Sequence, residues 1–174
     1  MFQRSLADAH QQLYAVLDGA SIPNLLALLS EPKVPHICLL PGELDSELAQ
    51  AAPYLAQLQA QSPFTDLFLT RGLGNHWGIL ATAGADFRTM RMHFRKFLSV
   101  WGPDARPLYF RYYDPRVLRL YLPTCNGDEL RTLFGPVIAY YAEGENADTL
   151  LRFIIAGDRL GQQPLTLSQP ASPS

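Results

Sequence analysis

Apolar positions along this chain fall into two alternating patterns. Short apolar runs closed by turn residues read as strands: LYAVL at 13–17 before Asp18-Gly19, HICLL at 36–40 before Pro41-Gly42, and WGILATAG at 77–84. YLAQLQ at 54–59 alternates apolar and polar residues as a half-buried strand does. RPLYFRYY at 106–113 likewise sets Leu108, Phe110 and Tyr112 against Tyr109, Arg111 and Tyr113. VIAYYAEG at 137–144 and TLLRFIIA at 149–156 read as two closing strands, joined as a hairpin across EGENAD.

Helical patterns separate these runs. They cover the start of the chain at 6–12, IPNLLALLSE at 22–31 with Pro23 in its first turn, and ELDSELAQAAP at 43–53. SPFTDLFLTRG at 62–72 has Ser62 as its cap and Gly72 as its stop. The clearest helix is DFRTMRMHFRKFLSVW at 86–101, capped by Asp86 and ended by Gly102-Pro103. On it Phe87, Met90, Phe94, Phe97, Leu98 and Trp101 share one apolar face about 100° wide. PRVLRLYL at 115–122 and GDELRTLFG at 127–135 follow. Strands alternating with helices imply an α/β layer architecture, a single domain over residues 1–160 with a mixed β-sheet flanked by helices. Residues 161–174 are rich in Gln, Pro and Ser and predict a disordered C-terminal tail.

Composition narrows the function classes. The chain has 174 residues, 48% of them hydrophobic and 17% charged, enough for one buried core without disulfides or a metal. The N-terminal MFQRSLADAHQQ lacks the apolar centre of a signal peptide, and no apolar run approaches a membrane span. Cys38 and Cys125 have no ligand spacing, and His10, His36, His76 and His93 are scattered, so no metal site and no cofactor are expected. The chain therefore reads as a cytoplasmic protein.

Charge is unevenly placed. Residues 1–66 carry seven acids against two bases, whereas residues 88–119 carry eight bases against Asp104 and Asp114. Arg88, Arg91 and Arg95 form a stripe beside the apolar face of the 86–101 helix. This is either a solvated flank or a ridge that docks an acidic partner. A phosphate backbone is the less favoured alternative for the basic stretch 88–119, because rings and arginines segregate on the helix and the net charge is −2. RGLGNHWG at 71–78 has G-x-G, but it follows a helix and precedes a strand. It reads as a cap and turn, not a phosphate loop.

No catalytic motif is assembled. Asp18 and Asp114 both stand at strand ends, where a small hydrolase-like α/β enzyme could place a carboxylate beside a histidine, but Asp before Gly19 or Pro115 is also ordinary turn chemistry. In FRYYDPRVL at 110–118, Asp114 cannot easily be helical before proline. It can cap the next helix, with Pro115 in the first helical position. Arg111 and Arg116 lie close enough in sequence to pair with it, and Arg111, Tyr113 and Arg116 are the residues that this corner leaves unexplained.

The ordered series LYAVLDGA, APYLAQL, WGIL, FRKFLSVWGPD, LYFRYYDPRVL and LFGPV, which ends on Gly135 and Pro136, resembles the adaptor-chaperone family of bacterial type VI secretion known as domain of unknown function 4123. The resemblance runs from about residue 13 to 141. It implies a non-catalytic cytoplasmic protein that binds a secreted effector and helps to load it onto the VgrG spike protein. The implied partners are proteins, not nucleic acid or membrane. Family members commonly carry a further helical C-terminal region that these 174 residues do not include. The contacts expected from the residues themselves are the Arg88/Arg91/Arg95 ridge together with Arg111, Tyr113 and Arg116.

Overall fold

The computed structural model describes residues 10–101, 104–146 and 148–166. In chain order these form β1 (Gln12–Asp18), α1 (Leu25–Ser30), β2 (His36–Cys38), α2 (Ser46–Ala51) and β3 (Pro53–Leu58). Next come α3 (Pro63–Leu67), prolonged by a π turn over Phe68–Gly72, β4 (Gly78–Ala83), α4 (Phe87–Arg95), β5 (Ser99–Trp101) and β6 (Pro107–Tyr109). The chain then continues through α5 (Pro115–Tyr121), α6 (Gly127–Phe134), β7 (Val137–Glu143), β8 (Thr149–Ala156) and β9 (Arg159–Thr166).

Seven strands make one sheet in the order β2-β3-β1-β4-β7-β8-β9, and β5 pairs only with β6 in a separate ribbon. Helices cover both faces. Tyr14 and Val16 of β1 point into a core built with Met90, Phe94, Leu118 and Leu133. Leu13, Ala15 and Leu17 point into a second core with Leu25, Leu29, Phe64 and Phe68. The α/β layering is thus as the sequence predicts.

The sheet itself differs from the expectation of a mixed one, because every pairing is antiparallel. β1 and β4 are buried on both faces and read as continuous apolar runs, a pattern more usual in parallel sheets, and β3 is buried on both faces too, not half-buried as its alternation predicts.

Four further expectations are corrected. α4 stops at Arg95 rather than running to Trp101, and Ser99–Trp101 turn into a strand. Ser, Val and Trp are weak helix formers, and residues 107–109 offer them a pairing partner. The strand expected over 106–113 is confined to Pro107–Tyr109, because Tyr112 and Tyr113 are both buried and a one-sided strand cannot bury adjacent side chains. Residues 161–166, expected in the tail, belong to β9. Its polar composition suits an exposed edge, where Pro164 is tolerated. Ser62 stands at the start of α3, but its hydroxyl makes no capping bond. The helical pattern at 6–12 lies outside the described residues up to Ala9, and Gln12 already belongs to β1. Residues 167–174 of the expected tail lie outside them too. Among the described residues no helix is long and apolar enough to cross a membrane.

Candidate functional site

Two features meet where β1 ends and β6 begins its turn towards α5: a polar corner with every charge matched, and an apolar ribbon with little cover.

The corner is built on Asp18 and Asp114. Asp18 closes β1 and is 1% exposed. Its carboxylate accepts from the Ala20 N–H at 3.2 Å and the Ser21 hydroxyl at 2.9 Å, capping the short turn Gly19–Ser21, and from Arg111 Nη2 at 2.5 Å. Gly19 is required by space. Its N–H donates to the Ala52 carbonyl at 3.1 Å, and a Cβ there would stand 2.4 Å from that oxygen. Asp114 caps α5, with Pro115 at the first helical position. It accepts from the Arg116 N–H at 2.9 Å and bidentately from Arg116 Nε at 3.0 Å and Nη2 at 2.7 Å. Burial pushes the Asp114 carboxyl up, but the Arg116 hydrogen bonds and charge outweigh it and leave the group below its ordinary range. For Arg111, burial works against the charged form and the Asp18 carboxylate more than restores it.

Tyrosines complete the corner. The Tyr113 hydroxyl lies 3.2 Å from that of Tyr109, and the Arg111 guanidinium sits 5.9 Å from the centre of the Tyr113 ring. Burial, followed by the hydrogen bond with Tyr109, raises the Tyr113 phenol well above its ordinary value, so it is a neutral donor or acceptor. Tyr112 points the opposite way. It stacks on Phe94 and donates to the Phe94 carbonyl at 2.8 Å, which fixes the turn under α4.

The ribbon carries the other feature. Both of its strands are exposed throughout. Trp101 is 77% exposed, Tyr109 53% and Leu108 50%. Pairing of Ser99 with Tyr109 and of Trp101 with Pro107 puts Trp101 and Tyr109 on one face, and Val100 with Leu108 on the other.

The structure therefore brings Arg111, Tyr113 and Arg116 together with Asp18 and Asp114. Arg111 pairs with Asp18 rather than with Asp114. Arg88, Arg91 and Arg95 lie on α4 instead, and with Lys96 they form no ion pair among the described residues. Half of the basic stretch 88–119 is consumed internally. Arg106 pairs with Asp104, Arg111 and Arg116 pair as above, and Arg119 donates to the Glu143 and Gly144 carbonyls. Gly135 and Pro136 end α6. Gly135 has φ +46°, and a Cβ there would stand 2.7 Å from the His93 ring, so that glycine is fixed by backbone and by packing together.

The G-x-G loop does bind an anion, but an internal one. The N–H groups of Gly74 and His76 donate to the Glu143 carboxylate, at 2.7 and 3.3 Å, and His76 Nδ1 meets its other oxygen. Among the described residues neither Asp18 nor Asp114 has a histidine as a hydrogen-bond partner, and His36, His76 and His93 meet Val34, Glu143 and Leu133 instead. Among the described residues no group of three or more His, Cys, Asp and Glu is placed to hold a metal ion.

Sequence reasoning missed the Asp18–Arg111 pair, whose signal was only the acidic first third set against a basic stretch. It also missed β5 and its pairing with β6, although Gly102-Pro103 between SVW and PLY is turn chemistry. Residues 13–132 of the chain match the family described as Domain of unknown function (DUF4123). Neither a curated protein nor a solved structure matches the chain.

Proposed function

This chain belongs to the DUF4123 family, and we propose that it is a non-catalytic cytoplasmic adaptor of type VI secretion that binds an effector and helps to load it onto the VgrG spike. The observation that carries this reading is the β5–β6 ribbon. Trp101, Leu108 and Tyr109 present large apolar side chains to solvent on an element that adds nothing to the seven-stranded sheet. Trp101 and Tyr109 share one face of the ribbon and Leu108 stands on the other, and large apolar side chains exposed together on one element mark a partner site. Covering Trp101 and Leu108 would contribute about 1.5–3 kcal/mol each by area alone. Trp and Tyr beside Arg are the residue types that dominate binding energy at interfaces.

The corner supports the reading in a different way. Asp18 and Asp114 are committed to Arg111 and Arg116, which gives the ribbon a rigid base and leaves neither carboxylate poised beside a histidine for proton transfer. The test is co-expression with an effector and a VgrG protein encoded beside this gene, followed by size-exclusion chromatography. A stable complex at micromolar concentration is expected with the effector, and separate elution of all three proteins would overturn the reading.

A further inference from the structure

The face of the ribbon that carries Tyr109 does not stand alone. It forms one wall of a groove of about 270 Å3, with Leu40, Leu48 and Ala51 opposite and Tyr109, Arg111 and Tyr113 on the near side. The walls are almost wholly apolar, and Leu48 is itself 46% exposed at the rim. At the floor, Arg111 Nη2 is bonded to Asp18, which cancels the guanidinium charge. Its Nε and Nη1 have no partner among the described residues and remain able to donate to a carbonyl. Trp101 continues the same ribbon face two residues further on.

Asp18, Asp104 and Asp114 are each paired to an arginine, and the unpaired acids nearest the groove in sequence lie in the segment that joins two of its lining residues. Between Leu40 and Leu48 lie Glu43, Asp45 and Glu47. All three are exposed and none is in an ion pair among the described residues. Asp45 caps α2 through the Leu48 N–H at 2.8 Å, and Glu47 precedes Leu48 directly, so both acids stand beside a residue that lines the groove.

We infer that the groove between α2 and the β5–β6 ribbon receives a peptide segment of the partner protein that buries a large apolar side chain there and carries lysine or arginine beside it. The apolar walls take the side chain, Arg111 donates to a backbone carbonyl of the segment, and the Glu43/Asp45/Glu47 rim selects the flanking positive charge. An acidic flank meets three unneutralised carboxylates and is rejected. This inference rests on the adaptor reading and adds the chemistry of the segment it grips.

Two fluorescently labelled twelve-residue peptides test it by polarisation against the full chain. One has a central tryptophan and leucine flanked by lysines, and the other has the same centre flanked by glutamates. Only the lysine-flanked probe is expected to bind, with affinity that falls as salt rises. Leu48→Glu, on an exposed rim position, should weaken it at least tenfold. The charge reversal Glu43→Lys with Glu47→Lys should weaken it similarly and admit the glutamate-flanked probe. Met92→Glu, exposed on α4, should change nothing. Equal binding of both probes, no binding of either, or indifference to Leu48→Glu and to the charge reversal would overturn the inference. An effector complex that survives both groove variants would keep the adaptor reading and remove the groove from it.

Discussion

Residues 99–109 and 110–121 are consecutive in the chain, and they treat solvent in opposite ways. The second segment takes charge inward: Asp114 is buried, Arg116 closes on it, and Arg111 reaches across to the buried Asp18. The first takes apolar surface outward, with Trp101, Leu108 and Tyr109 all more exposed than buried neighbours such as Phe97 and Leu98. A buried ion pair adds little net stability over an apolar pair of the same shape, but breaking one partner away is costly. An exposed apolar ribbon is the reverse, since folding gains little from it and a partner can gain much. The contrast separates residues that hold the structure from residues free to bind, and variants on the two segments should fall into two classes.

The largest expected effect belongs to the buried frame. His93 lies under α6, where burial lowers its pKa from 6.5 to about 4 even though its contact with the Leu133 carbonyl pulls the other way. The folded protein therefore keeps this ring neutral while the unfolded chain protonates it below pH 6.5. Stability should fall as pH drops from 6.5 to 4, by roughly 3 kcal/mol in total, and that loss should level off below pH 4. Urea unfolding at pH 7, 5.5 and 4 measures it, and His93→Gln should flatten this part of the profile.

Breaking the corner should cost about as much. Arg111→Ala strips the partner from a buried carboxylate and should lower stability by about 2–4 kcal/mol, whereas Asp18→Ala leaves a half-exposed guanidinium and an uncapped turn and should cost about 1–2 kcal/mol. The double variant should cost little more than Arg111→Ala alone, giving a coupling of more than about 1 kcal/mol in a double-mutant cycle. Additive effects would mean that the two side chains act independently.

Gly135→Ala should cost about 1–3 kcal/mol in thermal or urea unfolding, from its positive φ and from the contact with His93. In a His93→Ala background the packing share of that cost should vanish and the backbone share remain.

Most of the fold was legible because its signals are local. β1, β3, β4, β7 and β8, and the caps Asp86 and Asp114, follow from apolar runs and from residues within three positions of a helix start. What was not legible depends on distant residues. Nothing near Asp18 announces Arg111, and nothing near Glu143 announces the loop at Gly74 and His76 that holds it. β5 was hidden for another reason: Trp101 happens to continue the helical period of Phe94, Phe97 and Leu98, so its apolar character looked like core. β9 was hidden because an exposed edge strand has the composition of a tail. The candidate site was half legible, with Arg111, Tyr113 and Arg116 visible as an unexplained cluster and, of the ribbon beside them, only β6 visible, inside the strand expected over 106–113.

The ribbon should show the smallest effect on stability and the largest on binding. Trp101→Asp combined with Leu108→Asp alters two exposed side chains and should change unfolding free energy by no more than about 0.5 kcal/mol. The most direct measurement pairs the melting temperature of this double variant with its retention of the co-expressed effector. An unchanged melting temperature with the effector lost is the predicted result. A complex that persists with both aspartates in place would contradict the assignment of the ribbon as the docking surface.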